Sequence, residues 1–429
     1  MTGHLPRTLA RDAPRSAGTR FRLCGWACEV CDGDGTRRLV LRDHTGAVEL
    51  VGLDDHLAQT LVPASALDVT GALEPGPDGS PRLRVDSVEV AGPAAGALPI
   101  GDGAGLDERL DWRFIDLRSP RNRLVLEVQT TAERAMRDLW RAQGFIEIHS
   151  PRLRPLPNKS GGELFAVEYF GGRVYLAQSP QWYKQMAMAA GLDRVFDVGP
   201  VFRPQREPTS RHATEFTSVD VELSWIDSDD DVMAHAEELL CAAVAAVYEE
   251  HGDAVARWFG VELTVPSRPF PRVTFDQAAA IVAAAGSPLA DDAEDLDPEG
   301  ERLLAARVAR EAGHDLVFVT DYPEPSRPYY HMRRGETTVA TRSFDLLWRG
   351  LEIASGAQRE HRHDRLVAQA RARGVAVDRV RQYLDFFKYG CPPHGGFGLG
   401  LTRLLMSMLG IADVREATFL FRGPDRVTP

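Results

Sequence analysis

The chain has 429 residues, of which 44% are hydrophobic and 26% charged, and its formal net charge is −12. That length is enough for two or three domain cores, and the excess of acid excludes blanket attraction to nucleic acid while leaving room for a local basic face. No apolar run is long enough to span a bilayer, and the first 20 residues are polar with several arginines and no apolar stretch, so no membrane association or secretory signal is read and a cytoplasmic location is expected.

Residues 1–18 read as a flexible tail. Short strands follow over residues 19–92, at 21–27, 38–43, 47–52, 66–73 and 82–90, with turn signals at Asp32-Gly33-Asp34-Gly35 and His44-Thr45-Gly46. Such a series fits a small barrel of the oligonucleotide-binding (OB) type, or another small β-domain. Cys24, Cys28 and Cys31 cluster here, but no second cysteine pair or histidine pair completes a tetrahedral zinc set. Cys24 and Cys28 sit in an alternating pattern and are expected to be buried small apolar residues. Residues 93–115, rich in Gly, Ala and Pro at their start, read as a linker or hinge.

The pattern changes over residues 116–429. Val125, Val128, Ala132, Met136, Leu139 and Trp140 recur at helical spacing, predicting a helix over 123–143 that Gly144 ends, then a short strand at 145–148. Strands are expected at 174–177, 194–201, 218–225, 317–320 and 343–351. Helices are expected at 180–190, 229–251, 275–285, 300–312, 363–373 and 377–387, and a strand–helix unit closes the series at 395–409. The acidic residues 287–298 read as a surface loop. The whole predicts an α+β domain on a mostly antiparallel sheet with flanking helices.

Three stretches carry chemistry. Residues 196–225 read FDVGPVFRPQREPTSRHATEFTSVDVELSW, two strands around a loop with Arg203, Arg206, Arg211 and His212. Guanidinium forks match phosphate oxygens, although surface arginines on a solvated hairpin read equally well. Residues 394–410, HGGFGLGLTRLLMSMLG, put close-approach glycines before Arg403 at a helix start, a pattern shared by nucleotide sites and packed turns. Residues 343–359, SFDLLWRGLEIASGAQR, hold Glu352 and Ser355, a hard-ligand pair suited to magnesium, or a strand-end ion-pair partner and its neighbour.

Taken together, these stretches resemble the class II aminoacyl-tRNA synthetases. Phe202-Arg203, the loop and Arg211-His212 look like motif 2. Gly398-Leu399-Gly400-Leu401-Thr402-Arg403 looks like motif 3. The helix before Gly144 with Phe145-Ile146-Glu147-Ile148-His149-Ser150-Pro151 looks like motif 1, the dimer element. Gln178-Ser179-Pro180-Gln181-Trp182-Tyr183-Lys184-Gln185, Phe216-Thr217-Ser218-Val219-Asp220-Val221-Glu222 and residues 352–359 narrow the likeness to the aspartate branch in its archaeal-type form, as do residues 106–118 and 426–429. The resemblance runs from about residue 21 to the C-terminus.

The resemblance implies an N-terminal OB-fold barrel (19–92) that binds an anticodon and a synthetase catalytic domain (116–429). It implies ATP, Mg2+, L-aspartate and tRNA(Asp) as cofactors and substrates, some members of the branch also charging tRNA(Asn), and a homodimer through motif 1. By the same resemblance, Arg203, Arg403 and Glu352 are the catalytic residues. ATP falls to Arg203, Gln205, Arg211, His212, Glu352, Gly400 and Arg403. Aspartate falls to Gln181, Lys184, Asp220, Ser355 and Arg359, and magnesium to Glu352 and Ser355. Arg38 and Glu49 stand where the family reads the anticodon. A carboxylate adding to the α-phosphorus needs no covalent enzyme intermediate, so catalysis is positioning plus neutralisation of charge.

Four positions depart from the family pattern. Lys159 stands where a Glu receives the substrate ammonium, so either Glu163 or another acid takes that task or the substrate has no ammonium there. Gln205 and Thr402 each replace a Glu. Glu49 puts negative charge in the barrel where a phosphate track is expected. The readings they leave are a tRNA ligase, a diverged paralogue that adenylates aspartate or a related acid for a non-translational acceptor, and a non-catalytic module. The persistence of Arg203, Glu352, Arg359 and Arg403 argues against the last.

Overall fold

In a computed structural model, which describes residues 5–14, 16–31, 37–53, 61–77, 79–101, 103–155, 164–290, 293–335 and 338–429, the first alternating stretches close into a five-stranded barrel. Its strands β1 (Arg20–Cys31), β2 (Arg37–Arg42), β3 (Ala47–Val51), β4 (Ala66–Pro75) and β5 (Pro81–Gly92) run in the order β1-β2-β3-β5-β4. All pairs are antiparallel except β3–β5. Alternation sends Phe21, Leu23, Leu41, Leu50, Val69 and Leu83 inward, where they fill the barrel. Cys24 and Cys28 fall on the other phase of β1, so they lie half-buried outside the barrel core and correct the expectation of full burial.

The N-terminal segment is also not a loose tail over its described part. Thr8 N donates to Arg22 O at 2.7 Å, and Ala10 N donates to Asp43 Oδ2 at 2.8 Å. Ala10 thereby packs into the barrel core. The expected linker carries two short helices, α1 (Leu106–Asp111) and α2 (Arg113–Asp116), tied by the Arg109–Asp116 ion pair at 2.8 Å. The chain divides into two compact units, Met1–Pro120 and Arg121–Pro429.

The second unit holds strands β6 (Ile146–Glu147), β7 (Leu153–Arg154), β8 (Ala166–Tyr169), β9 (Gly172–Leu176), β10 (Arg194–Phe202), β11 (Glu215–Ser224), β12 (Arg272–Thr274), β13 (Leu316–Thr320), β14 (Ser343–Trp348), β15 (Leu351–Gln358) and β16 (His394–Gly400). Its helices are α3 (Pro120–Ala142), α4 (Gln181–Ala189), α5 (Asp229–Phe259), α6 (Phe275–Ala284), α7 (Pro298–Ala312), α8 (His363–Ala372), α9 (Arg381–Asp385) and α10 (Leu401–Leu409). An eight-stranded sheet runs β12-β13-β14-β15-β16-β11-β10-β6, antiparallel except at its two outer pairs. β7, β9 and β8 form a separate small sheet.

One face of the large sheet is covered by α3, α5 and α10. Leu124, Val125, Val128, Ala132, Met136 and Trp140 make one buried stripe along α3, and they meet Phe196, Val219, Val221, Phe397 and Leu399 from the strands. The α5 helix starts on a capping box between Ser228 and Asp231, has three aspartates in its first turn and ends at Gly260 in the left-handed region (φ 67°). It runs eight residues past the expected end at 251. The single strand expected at 343–351 is instead a hairpin. Arg349 (φ 51°) and Gly350 (φ 78°) both adopt left-handed conformations and turn β14 into β15.

Candidate active site

The opposite face of the sheet, covered in part by α4, α6 and α7, holds a cavity of about 590 Å³. Its chemistry follows from strand alternation. On β11, Val219 and Val221 point into the helix-covered core, so Ser218, Asp220 and Glu222 point the other way. Across the ladder, Ser218, Asp220 and Glu222 face Gly400, Gly398 and Gly396 of β16. A Cβ on Gly396 would lie 2.0 Å from Val221 O and 2.3 Å from Glu222 Oε2. The glycines thus clear room for the carboxylates beneath the cavity.

β15 shows why Glu352 and Ser355, three apart on a strand, can share a face. Leu347 pairs with Glu352 and Leu346 with Ala354, so Ile353 is an extra residue, a β-bulge. It resets the alternation, sending Ile353 and Ala354 to the core and Glu352 and Ser355 to the cavity. Asp345 on β14 is the cross-strand partner of Ser355, and sequence reasoning missed it.

The β10–β11 hairpin and α10 bring the phosphate-type cations together. Arg203, Gln205, Arg211, His212, Thr402 and Arg403 all line the cavity, as do Gln181, Asp220, Glu352, Ser355, Arg359 and Gly400. Arg203 leaves β10 beside Phe216, its guanidinium 5.3 Å from the ring centre. Enclosure by the surrounding chain and the nearby Arg403 push its pKa down, with Glu352 opposing. Arg403 Nη1 donates to Glu352 Oε2 at 3.0 Å and to the Glu352 carbonyl at 2.9 Å. Arg211 is held by Glu301, whose carboxyl burial pushes up to about 7 against the pull of Arg211. Burial and the three arginines around it push His212 down to about 4, so its ring is neutral at pH 7.

The two cations assigned to a small acid meet at Glu222. Lys184 lies below the cavity wall, fully buried, with Nζ 3.0 Å from Asp220 Oδ1 and 3.3 Å from Glu222 Oε2. It also donates to Val221 O at 3.2 Å and Phe397 O at 3.0 Å. Arg359 lines the cavity and donates from Nε to Glu222 Oε1 at 3.1 Å, from Nη2 to Gly396 O at 2.8 Å and from Nη1 to His331 Nε2 at 2.8 Å. Burial alone would raise the Glu222 pKa, but Arg359 and Lys184 outweigh it and hold the carboxyl ionised. The motif resemblance assigns Glu222 no role. Its signal was present, since the Ser-Val-Asp-Val-Glu run alternates polar and apolar residues.

Other missed residues come from loops that carry no period. Arg327 lines the cavity, stacks 3.6 Å from the ring centre of Tyr322, and grips Asp345 with both nitrogens at 2.6 and 3.1 Å. Asp295 reaches the cavity from the segment expected to be a surface loop. Crowding and the nearby Asp345 push its carboxyl up to about 6. Lys159 and Glu163 lie outside the described residues. In the barrel, Glu49 is paired rather than bare, 2.8 Å from Arg82 Nε and 3.4 Å from Arg38 Nη1.

A family model described as tRNA synthetases class II (D, K and N) matches residues 105–422. The chain belongs to the class II tRNA synthetases. An aspartate–tRNA(Asp/Asn) ligase of Aeropyrum pernix is 39% identical over 96% of both chains, and an aspartate–tRNA(Asp) ligase of Pyrococcus horikoshii is 38% identical over 96% of this chain and 97% of that one. Among solved structures, asparaginyl-tRNA synthetase from Pyrococcus horikoshii complexed with asparaginyl-adenylate superposes with a TM-score of 0.91 at 28% identity, covering 99% of this synthetase and all of that chain. Aspartyl-tRNA synthetase from Entamoeba histolytica gives 0.87 at 26% identity, over 99% of this chain and 93% of that one. The synthetase fold expected from the motifs, a barrel plus a catalytic domain on a mainly antiparallel sheet, is the one observed.

Proposed function

We propose that this synthetase is an aspartate–tRNA ligase that activates L-aspartate with ATP and transfers it to tRNA(Asp). The observation that carries this reading is the convergence of buried Lys184 and cavity-lining Arg359 on one buried carboxylate, Glu222, while Arg203 and Arg403 line the same cavity as Arg359. The pattern suits a dicarboxylate beside a triphosphate. Arg359 offers donors where a substrate side-chain carboxylate would sit, and a neutral amide in that place would satisfy them less well.

In the reaction, an α-carboxylate oxygen adds to the α-phosphorus and pyrophosphate leaves. Arg203, open to the cavity and without a carboxylate partner among the described residues, takes charge that grows on the α-phosphate. Arg403 and Arg211 take the outer phosphates, and each now rests on a carboxylate, Glu352 or Glu301, that keeps it oriented. Neutral His212, its Nδ1 2.8 Å from Thr209 Oγ1, closes over the nucleotide without adding charge. Gln205 and Gly400 border the same space. Glu352 and Ser355, brought to one face by the bulge and faced by Asp345, form a hard-oxygen set that fits Mg2+. When bound there, the ion supplies neutralisation of the leaving pyrophosphate. Gln181 and Asp220 complete the amino-acid end.

A homodimer is part of the same reading, because Ile146, Leu153, Val167, Tyr169 and Phe170, on or beside β6 to β8, leave large apolar surface exposed. Arg38 and Arg82, with Glu49 between them, form the anticodon-facing patch of the barrel. ATP–pyrophosphate exchange across a panel of amino acids tests the activation step. Exchange is expected with aspartate and not asparagine. Arg359→Ala is expected to abolish it, by about a thousandfold or more, since a charge partner of Glu222 and a substrate donor are both lost. Normal aspartate exchange in that variant would refute the assignment.

A further inference from the structure

Gln181 lines the cavity, but the direction its amide faces is decided by residues behind it. The carbonyl oxygen of Pro392 can only accept a hydrogen bond, and it lies 2.8 Å from His394 Nδ1, so that nitrogen carries the hydrogen. Burial pushes the His394 pKa down to about 4, so the ring is neutral and Nε2 is an acceptor. Gln185 sits 3.1 Å from that Nε2 and must turn its NH2 group to it. Its Oε1 then faces the other way, where it accepts from the Tyr383 hydroxyl at 2.9 Å and from Gln181 Nε2 at 3.1 Å.

The order of donors and acceptors therefore propagates from one backbone carbonyl to the cavity wall with no free choice. Nothing in the chain can rotate cheaply. Gln185, Tyr383 and His394 are fully buried, Phe387 stacks on His394 with ring centres 5.9 Å apart, and Trp182 stacks on Tyr383 at 4.9 Å. Reversing any one amide would set two donors, or two acceptors, against each other in a dry site.

We propose that Gln185, Tyr383 and His394 are positioning residues that lock Gln181 with its carbonyl oxygen toward the cavity, so that this wall accepts from the ammonium of an amino acid and discriminates against an acid that lacks one. The inference rests on the cavity being the amino-acid activation site. Asp220, also on the wall, adds a carboxylate to the same side, its Oδ2 taking the Ser218 hydroxyl at 2.5 Å. Arg359 supplies donors on the side-chain end. The pocket is thus polarised, with acceptors at one end and donors at the other, and the polarity of the first end depends on groups that never touch the substrate.

The test is pyrophosphate exchange with L-aspartate and with succinate, the same diacid without the ammonium, in the full-length protein. In Gln185→Met, near in length but unable to hold Gln181, KM for aspartate rises about tenfold or more, while kcat and KM for ATP stay within about twofold. The aspartate-to-succinate ratio of kcat/KM falls in step. Gln185→Glu, protonated in this buried setting, can still donate to His394 and accept from Gln181 and Tyr383, so it restores the ratio. Tyr383→Phe shifts the ratio the same way by less, and it carries the test if Gln185→Met does not fold. Equal loss for both acids, or an unchanged ratio in Gln185→Met and Tyr383→Phe, overturns the inference. Absence of exchange with every acid in the unaltered protein defeats the underlying reading instead.

Discussion

At the scale of single residues, burial decides what each polar group can do. Trp140 Nε1 donates to His235 Nε2 at 3.1 Å inside the main core, so His235 must be unprotonated there, and burial pushes its pKa from 6.5 to about 4. As pH falls below 6.5 the unfolded chain takes the proton first. The stability His235 contributes is therefore complete above pH 6.5 and is lost as pH drops toward 4, up to about 3 kcal/mol. Urea midpoints between pH 7.5 and 5 should show the loss, and His235→Gln, which keeps an acceptor for Trp140, should flatten the slope. An unchanged slope would contradict the assignment. Gly396→Ala belongs to the same scale. Its Cβ would meet Val221 O at 2.0 Å, so a loss of more than about 3 kcal/mol is expected, read as a lowered denaturant midpoint. The glycines, Arg203 and Arg403 were legible in the sequence because their residue types are special wherever they occur. Glu222, Asp345 and Arg327 were not. Their roles come from partners distant along the chain that only the sheet brings together.

Elements explain which patterns could be read and which could not. The helices α3, α5, α6, α7 and α8 announced themselves by apolar period, and the barrel strands by alternation. The β14–β15 hairpin was hidden because Arg349 carries a left-handed conformation without being Gly, Asn or Asp. The N-terminal segment was hidden because its attachment to the barrel runs mainly through backbone hydrogen bonds and Asp43, none of which leaves an apolar pattern. The bulge at Ile353 likewise has no signature, yet it sets the phase of Glu352 against Ser355. Glu352→Gln should therefore weaken magnesium-dependent exchange by about a hundredfold while the thermal midpoint stays within a few degrees, since the residue lies on the cavity face and outside the core. In the barrel, β2, β3 and β5 bring Arg38, Glu49 and Arg82 side by side. Glu49→Gln should remove the acid that holds Arg82 and tighten tRNA binding by about two- to fivefold at low salt. Weaker binding in that variant would mean that Glu49 itself reads a base.

For the molecule as a whole, a charge of −12 coexists with a cavity crowded by arginines because nearly every one of them already has an acid. Arg403 has Glu352, Arg211 has Glu301, Arg327 has Asp345, and Arg359 has Glu222. Such pairing orients the cations at little net cost and leaves Arg203 to meet the substrate. The unit with the barrel and the unit with the cavity would then serve the two ends of one tRNA. Charging of purified tRNA with radiolabelled amino acids tests this most directly. The account predicts that aspartate is esterified to tRNA(Asp) in an ATP- and magnesium-dependent manner, and that Arg359→Ala leaves the tRNA uncharged. Activation of aspartate with no transfer to any tRNA, or charging with asparagine in its place, would contradict it.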